Sequence, residues 1–155
     1  MYKVYLLILF TCLSYSQESS IHFNTTNGLP HDITYGVFQD REGFIWIGTD
    51  DGLVKYDGQD FKLFSSDEGL RSNFVIAINQ ASNGDILVGT WGGGLHIIRN
   101  DKIIPTVIPD DESEKINNIQ VWNDDIVVKH PKGNFFYEKT ANGYVKTKLF
   151  FKNNT

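Results

Sequence analysis

Trp91 stands between Gly89-Thr90 and Gly92-Gly93-Gly94, an indole set in a glycine-rich loop. Backbone can approach a ligand closely at such a loop, and an aromatic face there can stack on a sugar or a base. Asp50-Asp51 and His130-Pro131 fall at the corresponding place in two other copies of an internal repeat, while His31 and Arg71 lie in the connectors between copies. These six residues, Trp91, Asp50, Asp51, Arg71, His31 and His130, are the candidates for ligand binding. Each also has a plainer explanation. Acids and a His-Pro pair form exposed turns without any ligand, and an indole can fold back over its own sheet.

Catalytic groupings are harder to assemble. His22, His31, His96 and His130 lack metal-ligand spacing such as H-E-x-x-H, and no serine sits in a glycine-flanked elbow. Asp50-Asp51 and Asp110-Asp111-Glu112 are acids adjacent in sequence, a pattern of solvated turns rather than of two carboxylates facing a substrate. Gly92-Gly93-Gly94 has neither the Lys-Ser/Thr pair nor the following helix of a phosphate cradle. The expectation is binding without turnover, with no catalytic residue, no metal and no cofactor.

Elements must position these residues, and an internal repeat defines them. Asn27-Gly28-Leu29-Pro30 is matched by Glu68-Gly69-Leu70-Arg71, and at the same offset of 41 Val37 meets Ile78, Gln39 meets Gln80, Gly43 meets Gly84 and Ile45 meets Ile86. Ile47-Gly48-Thr49 falls on Val88-Gly89-Thr90. One extra residue after Trp91 moves the offset to 42, aligning Gly52-Leu53 with Gly94-Leu95. A degenerate third copy runs through Asn118-Ile119-Gln120-Val121, Ile126-Val127-Val128, Gly133-Asn134-Phe135-Phe136-Tyr137 and Tyr144-Val145-Lys146, without the Gly-Leu opener or the Gly-Thr step.

Each copy reads as four short strands. In the first they span roughly Asp32 to Gln39, Phe44 to Thr49, Leu53 to Tyr56 and Phe61 to Phe64, separated by turn clusters rich in Asp and Gly. Phe44-Ile45-Trp46-Ile47, Ile86-Leu87-Val88 and Ile126-Val127-Val128 are apolar at alternate and intervening positions alike, so these second strands must be covered on both sides. Four-stranded sheets stacked face to face at a period near 41 are blades of a β-propeller. The fold expected is all-β: a partial propeller of about three antiparallel blades, two clear and one degenerate, over residues 28–68, 69–112 and 113–155.

Composition agrees with a globular chain. The 155 residues include 3 Trp, 7 Tyr and 11 Phe and carry a formal charge of −5, which argues against disorder. Lys and Arg are scattered and outnumbered, so no nucleic-acid footprint is present. Residues 1–16 read as a signal peptide, with Lys3, an apolar stretch from Val4 to Leu13, and Ser14 and Ser16 before a cut at Gln17. Cleavage there would remove Cys12, the only cysteine, and deliver a periplasmic or secreted chain.

Gly28-Leu29-Pro30, Val37-Phe38-Gln39-Asp40-Arg41-Glu42-Gly43-Phe44-Ile45-Trp46-Ile47-Gly48-Thr49 and Gly52-Leu53-Val54-Lys55-Tyr56-Asp57 resemble the two-component regulator propeller repeat. The second copy departs from it at Leu87, in place of Trp, and at Arg99, in place of Asp. The resemblance implies the N-terminal periplasmic sensor region of a hybrid histidine kinase, responding to a small-molecule ligand of saccharide type. Kinase chemistry and any membrane contact would reside in segments absent from this chain. Three blades fall short of the roughly 4 to 8 of a closed ring. The reading is therefore a truncated portion whose ring needs further blades, with completion by a second copy as the alternative. A secreted propeller lyase or hydrolase acting on glycans, or a non-catalytic protein-interaction scaffold, are the other function classes.

Overall fold

The computed structural model describes residues 22–104, 115–122, 124–131, 133–140 and 143–150. The expected signal peptide and the Asp110-Asp111-Glu112 run lie outside the described residues. Among the described residues no helix is long and apolar enough to cross a membrane.

The described residues form three four-stranded antiparallel meanders. The first blade is β1 (Thr34–Gln39), β2 (Ile45–Thr49), β3 (Gly52–Tyr56) and β4 (Phe61–Phe64). The second is β5 (Val75–Gln80), β6 (Ile86–Thr90), β7 (Gly94–Arg99) and β8 (Lys102–Ile104). The third is β9 (Asn118–Trp122), β10 (Asp125–His130), β11 (Gly133–Thr140) and β12 (Gly143–Phe150). All-β architecture in stacked propeller blades, expected from the repeat, is what the chain adopts. One 3-10 turn, Ser66–Glu68, interrupts the connector into the second blade; Ser65 and Glu68 cap it reciprocally.

The repeat offset reappears as register. Trp46 lies between Phe38 and Lys55, and Leu87 lies between Asn79 and Ile97. Both side chains are buried, on the faces that look toward the following blade. Trp46, Leu53 and Phe64 of the first blade, with Leu70, pack on Val75, Ile86, Val88 and Ile98 of the second. Leu87, Leu95 and Ile97 of the second pack on Ile119, Ile126, Val128, Phe135 and Tyr137 of the third. β6 thus has a blade on each side, while β2 and β10 each face a blade on one side only.

Two glycines set how closely the blades approach. A methyl group on Gly48 would lie 2.7 Å from the Val75 carbonyl oxygen, and one on Gly89 would lie 2.4 Å from Ile116 Cγ2. The residue entering each inner strand therefore seats in a hollow that only glycine leaves open. Polar contacts reinforce the first junction. Arg41 donates from its backbone N–H to Gln80 Oε1 and from its guanidinium to the Ser82 and Ala81 carbonyls, each at 3.0 Å. At the second junction Asn79 Nδ2 donates to the Ile119 carbonyl at 2.9 Å.

The two end faces differ in character. The first blade's is apolar and partly covered: Leu29 packs on Ile47 and Val54, and Phe23 meets Tyr56 and Phe61 edge-on. Val37 on this face remains 68% exposed. On the third blade the register puts Lys129 where Gly48 and Gly89 stand, and Asn134 where Leu53 and Leu95 stand. Asn118 and Gln120 share that face with Val127. The apolar Ile126-Val127-Val128 run suggested cover on both sides; the outward face around Val127 is mixed, with Phe136 opposite it in β11 and the exposed Trp122 at the end of β9 among Asn118, Gln120, Lys129 and Asn134.

Candidate functional site

In a meander, the turn between the second and third strands lies at the same end as the start of the first. The start of β1, the β2–β3 turn, the start of β5, the β6–β7 turn and the β10–β11 turn therefore share one rim. All six candidate residues belong to these turns and connectors, and β1 runs beside β5 and β5 beside β9 along the inner edge.

At the rim, three aromatic rings from two blades touch in series. Tyr35 lies 4.5 Å from Phe74, tilted by 47°, and Phe74 lies 5.7 Å from Trp91, nearly parallel at 17°. Backbone bonds fix the arrangement: Trp91 N–H donates to the Phe74 carbonyl at 2.8 Å, and Ser72 Oγ donates to the Trp91 carbonyl at 2.8 Å. Tyr35 and Trp91 each remain 42% exposed. Lys115, bridged through its backbone to Trp91, carries its ammonium 4.0 Å from the indole centroid. A cation over an exposed ring contributes only about 0.5–1 kcal/mol, so a ligand can displace it.

Charged groups gather at the Tyr35 end. His31 Nδ1 lies 3.8 Å from Asp50 Oδ2 and accepts the Ile33 N–H at 3.1 Å. Partial loss of solvent and then the adjacent Asp50 carboxylate push the Tyr35 hydroxyl pKa up. Below the ring row a groove of about 260 Å³ follows the inner strands, lined by Tyr35, Gly36, Ile76, Ile78, Asn117 and Asn118.

The remaining candidates are placed differently. Asp51 is exposed and its N–H donates to Thr49 Oγ1. Arg71 is tied into the second blade, its backbone N–H donating to His96 Nε2 at 3.0 Å and its guanidinium to the Leu95 carbonyl at 3.4 Å. His130 is buried at the end of β10, edge-on to Phe135. Thus Asp50 and His31 meet directly, Trp91 and Arg71 are linked through Ser72, and His130 points into the packed interior. Tyr35, Phe74 and Lys115 escaped sequence reasoning, since they reach the site only through contacts with neighbouring loops.

A smaller cleft of about 100 Å³ lies between the first two blades, near Asp40, Glu42, Lys55 and Asp101. Asp40 and Asp101 are already engaged. Asp40 accepts from the Trp46 indole and from the Glu42 and Phe44 N–H groups, and Asp101 pairs with Lys55 at 2.9 Å. Among the described residues no cluster of His, Cys, Asp and Glu is arranged to hold a metal.

This architecture is that of a β-propeller repeat protein. Residues 28–51 match the two component regulator propeller family, and the first blade carries its repeat. Over 67 residues the chain is 37% identical to Histidine kinase P4 of Formosa agariphila, covering 39% of this chain and 5% of that protein. Two solved structures share the fold. The extracellular domain of the hybrid two component system BT3049 from B. thetaiotaomicron superposes with a TM-score of 0.68 at 20% identity, over 86% of this chain and 18% of that one. The corresponding domain of BT4673 gives 0.65 at 16% identity, over 89% and 19%. The chain therefore spans a small part of each.

Proposed function

We propose that the chain is the ligand-sensing propeller portion of an exported hybrid two-component sensor, acting by binding alone. The carrying observation is the unbroken contact from Tyr35 through Phe74 to Trp91, which crosses from one blade to the next at an accessible rim. Ring faces flanked by hydrogen-bonding groups are suited to a saccharide: apolar C–H faces stack on the rings while hydroxyls reach Asp50, His31 and the Tyr35 phenol. A ligand bridging two blades can alter their contact, and that change is the signal such a module would pass to segments beyond it. The signal-peptide reading of residues 1–16 and the extracellular character of the structural neighbours support a periplasmic location.

Further blades are the proposed partners of the end faces, in preference to a second copy. Head-to-tail docking of two copies would bury Lys129, Gln120 and Asn134 against the face that carries Val37, where Leu29 already covers Ile47 and Val54, stripping water from polar groups.

Calorimetric titration of the purified chain with neutral and acidic oligosaccharides tests the reading. Binding should weaken at least tenfold in Trp91→Ala and Tyr35→Ala and stay unchanged in Trp122→Ala, whose indole is exposed on the third blade. No binding to any saccharide, or equal binding by Trp91→Ala, would overturn it.

A further inference from the structure

His96 occupies a position where aliphatic or aromatic packing would serve. It pairs with Val88 across β6 and β7, as Val54 pairs with Ile47 in the first blade and Phe135 with Val128 in the third. Only 3% of its surface is exposed. The connector explains the exchange. Arg71 has a backbone N–H that needs an acceptor inside the blade, whereas the equivalent residue of the first blade is Pro30, which has none. Val54 accordingly stands where no acceptor is required.

Because Nε2 accepts from Arg71, the neutral ring carries its proton on Nδ1, an atom that is buried without a hydrogen-bond partner. A second proton would have to enter at Nε2, 3.0 Å from the Arg71 nitrogen, and two donors would then face each other. Arg71 is the charged group set against the imidazole. The β6 and β7 backbones offer carbonyls of Val88 and Gly94, and β2 to β4 bring the apolar Trp46, Leu53 and Phe64 to the same interface. The two carbonyls favour the charged ring, but burial and then the Arg71 guanidinium outweigh them.

We infer that His96 is an acid-sensitive latch beneath the rim: while neutral it holds the 70–74 connector through the Arg71 N–H, and on taking up a proton it releases that connector. The connector carries Ser72 and Phe74, which fix the Trp91 loop through the Ser72 hydroxyl and the Phe74 carbonyl. Release therefore dismantles the Phe74 and Trp91 stack while the sheets persist. Burial first, and then the Arg71 guanidinium, push the His96 pKa down to about 4, which places the opening at acid pH. The latch operates without ligand, so it stands or falls independently of the saccharide reading.

Amide and indole NMR of the full chain between pH 7 and 3.5 tests it, with Trp91→Phe assigning the Trp91 indole. The Arg71 amide and the Trp91 indole should shift together in one transition centred near pH 4, while amides of β2 and β6 hold their positions. In His96→Gln, whose Oε1 accepts without titrating, the transition should vanish. Persistence of the transition in His96→Gln, or simultaneous loss of all amides in the unmutated chain, would overturn the latch. A ring-nitrogen spectrum at pH 7 provides a check that needs no variant to fold: a proton on Nε2 rather than Nδ1 also overturns it.

Discussion

The indole of Trp46 donates to Asp40 Oδ2 at 2.7 Å inside the first junction, and the other oxygen of the same carboxylate accepts the Glu42 and Phe44 N–H groups. One acid therefore closes the β1–β2 turn and satisfies the largest buried side chain of β2. In the second blade both partners change together, to Ala81 and Leu87, so neither is left with an unmet polar group. Replacing Trp46 by Ala should cost roughly 3–5 kcal/mol, since a large buried aromatic leaves a cavity. Trp46→Phe should cost about 1–3 kcal/mol, because it strands Asp40 Oδ2. Denaturation midpoints of these variants and of Asp40→Ala/Trp46→Leu, which repeats the second blade's solution, measure both terms; the double variant should be less destabilised than the sum of its parts.

Gly89→Ala should destabilise by about 1–3 kcal/mol through overpacking, because the new methyl would fall on Ile116. Adding Ile116→Ala opens the seat again. The pair should be less destabilised than the sum of the two single variants, and strict additivity in urea denaturation would show that the hollow does not govern the junction.

Acid should erode stability through His96 before the carboxylates matter. An unfolded histidine takes up its proton near pH 6.5, and the folded one resists until about 4, so its contribution is complete above pH 6.5 and falls away toward pH 4. The loss across that window should be roughly 3 kcal/mol, at about 1.4 kcal/mol per pH unit. Urea midpoints at pH 7, 5.5 and 4.5 should fall in the unmutated chain and flatten in His96→Gln. Asp85 acts with the same sign at lower pH. Burial opposes its ionisation, but bonds from Arg99 and Asn83 prevail and hold its carboxyl below the usual range, so its contribution survives to lower pH.

Lys55→Met should cost about 1 kcal/mol or less. The ammonium, 3.8 Å from the Phe44 ring centroid, pairs with Asp101, but Asp101 is partly exposed and keeps Lys62 at 3.4 Å. Met preserves the buried stem, so a large loss of stability on this substitution would mean that the ammonium itself holds the blades together.

The blades were legible because their period is carried by residues that the chain can place in only one way. Gly48 and Gly89 and the apolar second strands recur at fixed offset, and both mark contacts made where one blade packs on the next. The Ser66–Glu68 turn also has a sequence signal in Ser65 and Glu68, spaced as a capping box before Gly69. The site was legible only in part. Trp91, Asp50 and His31 stand in conspicuous loops, whereas Tyr35 begins a strand and Phe74 precedes one, and only stacking across the junction makes them neighbours. The Arg71 and His96 pairing had a signal in the exchange of Pro30 and Val54 for a donor and an acceptor, visible once strand register is known.

Gly48 and Gly89 receive residues from the blade that follows, never from the one before, and this gives the stack a polarity. Each coupling has a plug and a socket, so order along the chain is enforced by shape as well as by covalent connection. Lys129 fills the third socket. A copy of the second blade spliced in after the third would set Val75 against a lysine side chain and lose its seat, whereas the same copy inserted between the first and second would find Gly48 before it and present Gly89 behind it. Duplication of blades is thus tolerated at one point in this chain and obstructed at another.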